Sequence, residues 1–140
     1  MEIYKFKVET DPDSKDVEFL RDKIIEFNIA KTSINDALTL AIFMRDEREE
    51  IIAGIFGWTW GGCCEVVYLW VEENRRDLGY GKQLLKAAEE EAIRRGCFQV
   101  ILSTHSFQAP AFYQRLGYEI FGEIDYPKGY KQFYLKKRLN

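Results

Sequence analysis

Basic residues are not in excess in this chain of 140 residues: 20 lysines and arginines stand against 23 aspartates and glutamates, a net charge of -3. Without a broad basic surface nothing offsets the phosphate charge of DNA or RNA, so the sequence predicts no nucleic-acid partner. Long apolar runs are also missing. The longest, Ala37 to Met44, falls far short of the ~20 residues needed to cross a bilayer. The N-terminal MEIYKFKVETDPDSKD carries no apolar signal segment, and the expectation is a soluble, cytoplasmic protein without a membrane partner. Cysteine and histidine are scarce. Cys63, Cys64 and Cys97 cannot build a disulfide framework, and with the single His105 they show no CxxC or HxxxH spacing. No metal site is expected.

What is present is enough apolar content, 46%, for a packed core, and a length that fits one domain spanning residues 1–140. Residues 2–9 alternate Ile3, Phe6 and Val8 with charged neighbours, which predicts a half-buried first strand. Val17, Leu20, Ile24 and Phe27 recur at helical spacing and predict an amphipathic helix over 16–31. Strand-like segments follow at 38–44, 51–60 and 64–71, separated by the charged turn 45–50 and by Gly61-Gly62. From there the pattern changes. Leu84, Leu85, Ala88, Ala92 and Ile93, followed by Arg94-Arg95-Gly96, mark a helix over 79–95 with cations in its last turn and a glycine stop. FQVILST at 98–104 is a buried strand, so 64–104 reads as a βαβ unit with parallel strands. A short helix at 109–116 and strands at 118–124 and 132–139 close the chain.

Gly79 and Gly81 stand where a loop turns into a helix, so backbone N–H groups can approach an anion without Cβ interference. Arg76 or Lys82 could add full charge. A Walker A loop would need glycine at 76 and Ser or Thr at 83, where the chain has Arg76 and Gln83. A dinucleotide fingerprint would need glycine at 84, which is Leu84, and an acid near Val100. Neither ATP by that route nor NAD or FAD fits.

Arg76-Asp77-Leu78-Gly79-Tyr80-Gly81 resembles motif A of the GCN5-related N-acetyltransferases, Arg/Gln-x-x-Gly-x-Gly/Ala, at every defined position. About thirty residues on, Ala109-Pro110-Ala111-Phe112-Tyr113-Gln114-Arg115-Leu116-Gly117-Tyr118 resembles the family's motif B. The resemblance implies an α+β (α/β) fold: a mixed, mostly antiparallel sheet of about six or seven strands, helices on both faces, and a central βαβ unit. It also implies acetyl-CoA as donor and an amine acceptor. Backbone groups of Leu69 and Val71 would then hold the pantetheine, and Arg76, Asp77, Leu78, Gly79, Tyr80, Gly81 and Lys82 the pyrophosphate. Ser106 stands where many relatives carry a cofactor-contacting Asn, a departure that puts that contact in doubt.

Acyl transfer to an amine needs a neutral amine, donors for the developing oxyanion and an acid for the departing thiolate. Tyr113 matches the family's acid and is the leading catalytic candidate; the competing reading is a core aromatic, since Phe112, Tyr113 and Leu116 share helical spacing. Glu65, Glu72 or a water relay are candidate bases, with a solvated surface charge the competing reading of each glutamate. His105 reads as a structural histidine. The resemblance puts the acceptor near Phe27 to Ile34 and Tyr126 to Tyr130. Trp58, Trp60, Trp70 and Tyr126 could form an aromatic wall for a cation, with at least two of the tryptophans expected in the core. None of the cysteines is placed as an acyl-enzyme nucleophile, so direct transfer in a ternary complex is expected. A non-catalytic acetyl-CoA sensor is the alternative, and exposed aromatics on the last strands leave a homodimer open.

Overall fold

Alternation alone does not make a strand. In a computed structural model describing residues 1–140, the expected first strand at 2–9 is absent: the segment has no regular secondary structure and every residue in it is exposed. A strand is stable only in a ladder, and none of the paired strands takes this segment as a neighbour. The chain forms two compact units, Met1–Asn35 and Asp36–Asn140. In the first, helix α1 (Ser14–Thr32) is capped by Asp13, whose carboxylate accepts from the Lys15 N–H at 2.9 Å. It stops at Ser33, which adopts left-handed φ 61° and donates its N–H to the Ile29 carbonyl. Val17, Leu20, Ile24 and Phe27 lie on α1 as expected, but apolar and polar residues are spread around the helix so that it is scarcely amphipathic, and none of its residues is buried.

The second unit is a sheet with helices. Strands β1 (Leu38–Arg45), β2 (Ile51–Trp60) and β3 (Cys63–Val71) form the antiparallel meander; helix α2 (Tyr80–Arg94) leads to β4 (Gln99–His105). A short α3 (Pro110–Arg115) precedes β5 (Glu119–Asp125) and β6 (Lys131–Arg138). The six strands run in the order β1-β2-β3-β4-β6-β5, and only the β3–β4 pair is parallel. The fold is thus α+β with a mostly antiparallel open sheet.

The core lies on one sheet face, beneath α2 and α3. Alternate residues Leu40, Ala53, Ile55, Cys64, Val100, Leu102 and Leu135 meet Leu84, Leu85, Ala88 and Ala92 of α2 and Tyr113 of α3. Each Leu buried there is worth roughly 1.5–3 kcal/mol. Arg95, at the end of α2, fixes the helix over the meander: its guanidinium donates to the Thr39 carbonyl at 3.2 Å and the Thr59 hydroxyl at 3.1 Å. Gly96, at φ 84°, ends the helix where the sequence places its glycine stop.

Candidate active site

The site begins with a misfit between β2 and β3. Pairing runs from Trp60↔Cys63 to Gly57↔Val66 and resumes at Phe56↔Tyr68, so Val67 is an extra residue on β3. Such a bulge bends its strand and increases its twist. The parallel pairing of β3 with β4 ends just there, after Cys63↔Gln99, Cys64↔Val100 and Glu65↔Ile101. Beyond it β3 follows β2 to Val71↔Ala53, while β4 follows β6 to His105↔Gln132. The two central strands therefore part at their C-terminal ends.

Parting leaves main-chain groups without a strand partner. The Glu72 N–H donates to the Ile52 carbonyl at 2.9 Å, which in an antiparallel ladder puts Trp70 in the same phase toward β2. Leu69 and Val71, in the alternate phase, turn their N–H and C=O groups toward the gap. The Val71 carbonyl accepts from Arg76 Nε at 3.0 Å.

The gap is the floor of a cleft of about 780 Å³, a volume typical of small-molecule sites. One wall is Leu69, Trp70, Val71 and, from the turn, Arg75 to Asp77 and Gly79 to Lys82; the other is Phe107 to Ala109, with Phe112, Tyr113 and Arg115 of α3. A depression of similar volume, about 770 Å³, lies beside the β1–β2 turn, but apart from Ile52 its walls are the charged residues Arg45 to Arg48, Glu50 and Arg75. Only the first combines an apolar floor, open main chain and a titratable group.

Asp77 at φ 64° and Gly79 at φ 85° give the turn its left-handed residues, and Gly79 is the N-cap of α2 with no side chain satisfying the first-turn N–H groups. Those donors and the helix dipole face the cleft mouth. Arg75, Arg76, Lys82 and Arg115 line the same cleft, with Asp77 the only acid among the lining residues. Gly81 packs against Phe112 and Val71: a Cβ there would meet Phe112 Cζ at 3.4 Å and Val71 Cγ2 at 3.8 Å, ordinary contact distances.

Tyr113 is 8% exposed, and its ring packs edge-on against Phe112 at 5.1 Å and Tyr118 at 5.8 Å. Burial pushes its phenol up to about 12. Its hydroxyl makes no hydrogen bond within the protein and lines the cleft. Burial likewise raises Cys64, to about 12, and is the first cause of the raised Cys63 and Cys97 thiols. The fold thus holds neutral groups that an unfolded chain would ionise at about pH 9 for cysteine and 10 for tyrosine. Ionisation then favours the unfolded chain, so stability is full below pH 9 and is lost as pH rises toward 12. Each pH unit over which one group is held neutral costs about 1.4 kcal/mol. Unfolding free energy is expected to drop by about 3 kcal/mol between about pH 8.5 and 10.5 in urea titrations, with less loss in a Cys64→Ala variant.

Of the residues singled out in the sequence, Leu69, Val71, Arg76, Asp77, Gly79, Tyr80, Gly81, Lys82 and Tyr113 come together around this cleft. Leu78 points away and is 59% exposed. Ser106 is outside the lining; its N–H donates to the Lys131 carbonyl at 2.7 Å and its hydroxyl accepts from the Lys131 N–H at 3.1 Å. Glu65 also lies outside, opposite Trp58 on β3, and Glu72 pairs with Arg75 at 2.8 Å. None of the three tryptophans is buried, against the expectation that two are core, and only Trp70 reaches the cleft. Sequence reasoning missed Arg75, Arg115, Phe107 and Phe112. Phe112 and Arg115 share a face at i,i+3 with a cation at the helix end, a signal that was legible. No group of three or more His, Cys, Asp or Glu is placed to hold a metal.

A parted parallel pair, with an uncapped glycine-turn helix at its mouth, defines the N-acetyltransferase class of fold. The acetyltransferase (GNAT) family matches residues 2–118, and the chain belongs to that family. It is 35% identical over 119 residues to the blasticidin-S acetyltransferase of Streptomyces morookaense, covering 79% of this chain and 85% of that protein. An acetyltransferase of Agrobacterium fabrum is 31% identical over 112 residues, covering 80% and 82%. A crystal structure of an acetyltransferase from Bacillus cereus superposes with a TM-score of 0.79 at 31% identity, over 95% of this chain and 98% of that one. The protein is an N-acetyltransferase.

Proposed function

We propose that the enzyme moves an acetyl group from acetyl-CoA to a primary amine by direct attack in a ternary complex. The observation that carries this reading is the parted β3–β4 pair, whose open main chain runs from a buried free phenol to an uncapped, cation-flanked helix start. The residues present fit such a donor: first-turn N–H groups of α2 with Arg76, Lys82 and Arg115 match a pyrophosphate, and the Leu69–Val71 edge matches an amide-bearing arm. Acetyl-CoA supplies an acyl carbon activated as a thioester. A main-chain N–H on that edge polarises the acyl oxygen.

Tyr113 serves the departing sulfur. At about 12 its phenol is protonated at neutral pH, but handing the proton fully to a thiolate of reference pKa ~8.5 runs uphill by about 5 kcal/mol. Tyr113 therefore stabilises the leaving sulfur mainly by donating a hydrogen bond. The amine's proton leaves by water or by Glu65; water is favoured, because Glu65 does not line the cleft. The cysteines, all raised by burial, stay thiols and take no part. Free cysteines fit a reducing cytoplasm. The family match runs across both compact units, which supports reading residues 1–140 as one acetyltransferase domain.

Coenzyme A at 100 times its dissociation constant is expected to raise unfolding free energy by about 2.7 kcal/mol. A melting curve reads this, and an unchanged midpoint at saturating coenzyme A would exclude the site. Turnover, followed as free thiol released with a panel of amines, separates the enzyme from a binding-only protein.

A further inference from the structure

Beside the cleft, four rings from two segments are assembled where the reaction as proposed does not use them. His105 stacks on Phe107 with centroids 5.1 Å apart and planes at 17°, and meets Tyr126 edge-on at 5.2 Å. Phe107 meets Tyr130 edge-on at 5.2 Å. The ordinary cause of clustered rings is core packing, yet Phe107 is 61% exposed and Tyr126 and Tyr130 are about as open as they are covered. Phe107 belongs to the cleft wall that also carries Tyr113.

The rings are held in place by their backbone. Tyr126 donates its N–H to the Tyr130 carbonyl at 2.8 Å, closing a turn in which Lys128 takes φ 64°. The two segments are fastened to each other by the Ser106–Lys131 exchange of two hydrogen bonds, at 2.7 and 3.1 Å. Tyr126 spends its hydroxyl on Gln132 at 3.0 Å, and Gln132 in turn donates to Ser103 at 3.0 Å. What remains free is ring surface, fixed in advance so that little order is lost on binding.

Charge narrows the ligand further. The carboxylates nearest in sequence, Glu123 and Asp125, are both taken by Lys131, at 3.1 and 3.0 Å. A polycation therefore finds no free carboxylate among them, and the cations of the adjoining cleft are matched by the donor's pyrophosphate. Resting on the acetyl-transfer reading above, we infer that the acceptor is a primary amine carried on a flat aromatic or heteroaromatic group, which stacks on the exposed ring of Phe107 and meets Tyr130 edge-on. One amine is neutral for attack, and the ring supplies the binding surface.

The test compares phenethylamine with cyclohexylethylamine, alike in size but not in flatness, and with spermidine, using purified full-length enzyme and saturating acetyl-CoA. Ring contacts of this kind are worth about 0.5–1.5 kcal/mol each, so kcat/KM should favour phenethylamine over the saturated analogue by about tenfold. Phe107→Leu, which keeps bulk and loses the flat ring, should bring that ratio near one, as should Tyr130→Leu, which lies outside the cleft lining and should leave the KM for acetyl-CoA unchanged. Equal ratios in the unmodified enzyme, or a preference for spermidine, would overturn the acceptor class and leave acetyl transfer standing. A raised KM for acetyl-CoA in Phe107→Leu, with the amine ratio intact, would assign the ring to the donor and overturn the inference. Turnover of no amine, alongside stabilisation by coenzyme A, would instead overturn the transfer reading and this inference with it.

Discussion

Replacing Gly57 by alanine is expected to cost about 3 kcal/mol or more of folding free energy, read as a fall in the urea midpoint. A Cβ at position 57 would lie 1.9 Å from the Glu65 carbonyl oxygen, 3.0 Å from its carbon and 3.1 Å from Val66 Cα. All three are backbone atoms of the strand that carries the bulge, so no side chain can swing aside. Relief requires β2 and β3 to separate just where Val67 is accommodated. The loss should therefore reach function: stabilisation by coenzyme A should shrink, because the bend that parts β3 from β4 depends on that contact. Gly54→Ala is the control. There the nearest atom, at 3.0 Å, is Cδ1 of Phe43, a ring half open to solvent that can tilt away, and the nearest backbone atom, the Ile42 carbonyl oxygen, stands at 3.3 Å instead of 1.9 Å. If the two variants unfold at the same urea concentration, close approach at Gly57 is not what shapes the bend.

Tyr113→Phe is expected to lower kcat about a hundredfold, about 2.7 kcal/mol, with coenzyme A binding retained. The size follows from the role. Hydrogen bonds to a charged partner contribute roughly 1.5–3 kcal/mol, and a phenol held at about 12 gives such a bond without surrendering its proton. The ring itself stays, so packing against Phe112 and Tyr118 is preserved. Rate measurements should show kcat insensitive to phenol ionisation below pH 10, since the buried hydroxyl titrates above that. A fall of less than threefold would remove Tyr113 from the reaction and leave it a core aromatic.

Most elements of the second unit could be read from the chain because each carries its own local signal. Helix α2 has an apolar stripe at 84, 85, 88 and 92, cations in the last turn and a glycine stop, and it forms within a residue of those bounds. The donor turn was equally legible, since Gly79, at positive φ, meets a conformational need and with Gly81 completes a family motif. Segment 2–9 was not, because alternation reports which face a strand would bury and says nothing about whether a partner strand exists. The tryptophans misled for a related reason: Trp58 and Trp70 are apolar by type, but their strand phase puts them opposite the helix-covered face, where they remain largely open. The bulge at Val67 leaves no mark in composition. It arises from how Gly57 lets two backbones approach, a pairwise fact that one strand's sequence cannot report. The ring cluster escaped notice because it joins His105 and Phe107 to Tyr126 and Tyr130 across some twenty residues of intervening chain.

The bend in β3 has a bearing on solubility as well. An open row of main-chain donors and acceptors is adhesive, and a long flat one invites strands of other molecules to add and grow into aggregates. Here the unpaired edge is short, twisted by the bulge at Val67, and blunted where Arg76 occupies the Val71 carbonyl. The distortion that opens the sheet to a small ligand thus also denies a neighbouring chain the straight template it would need.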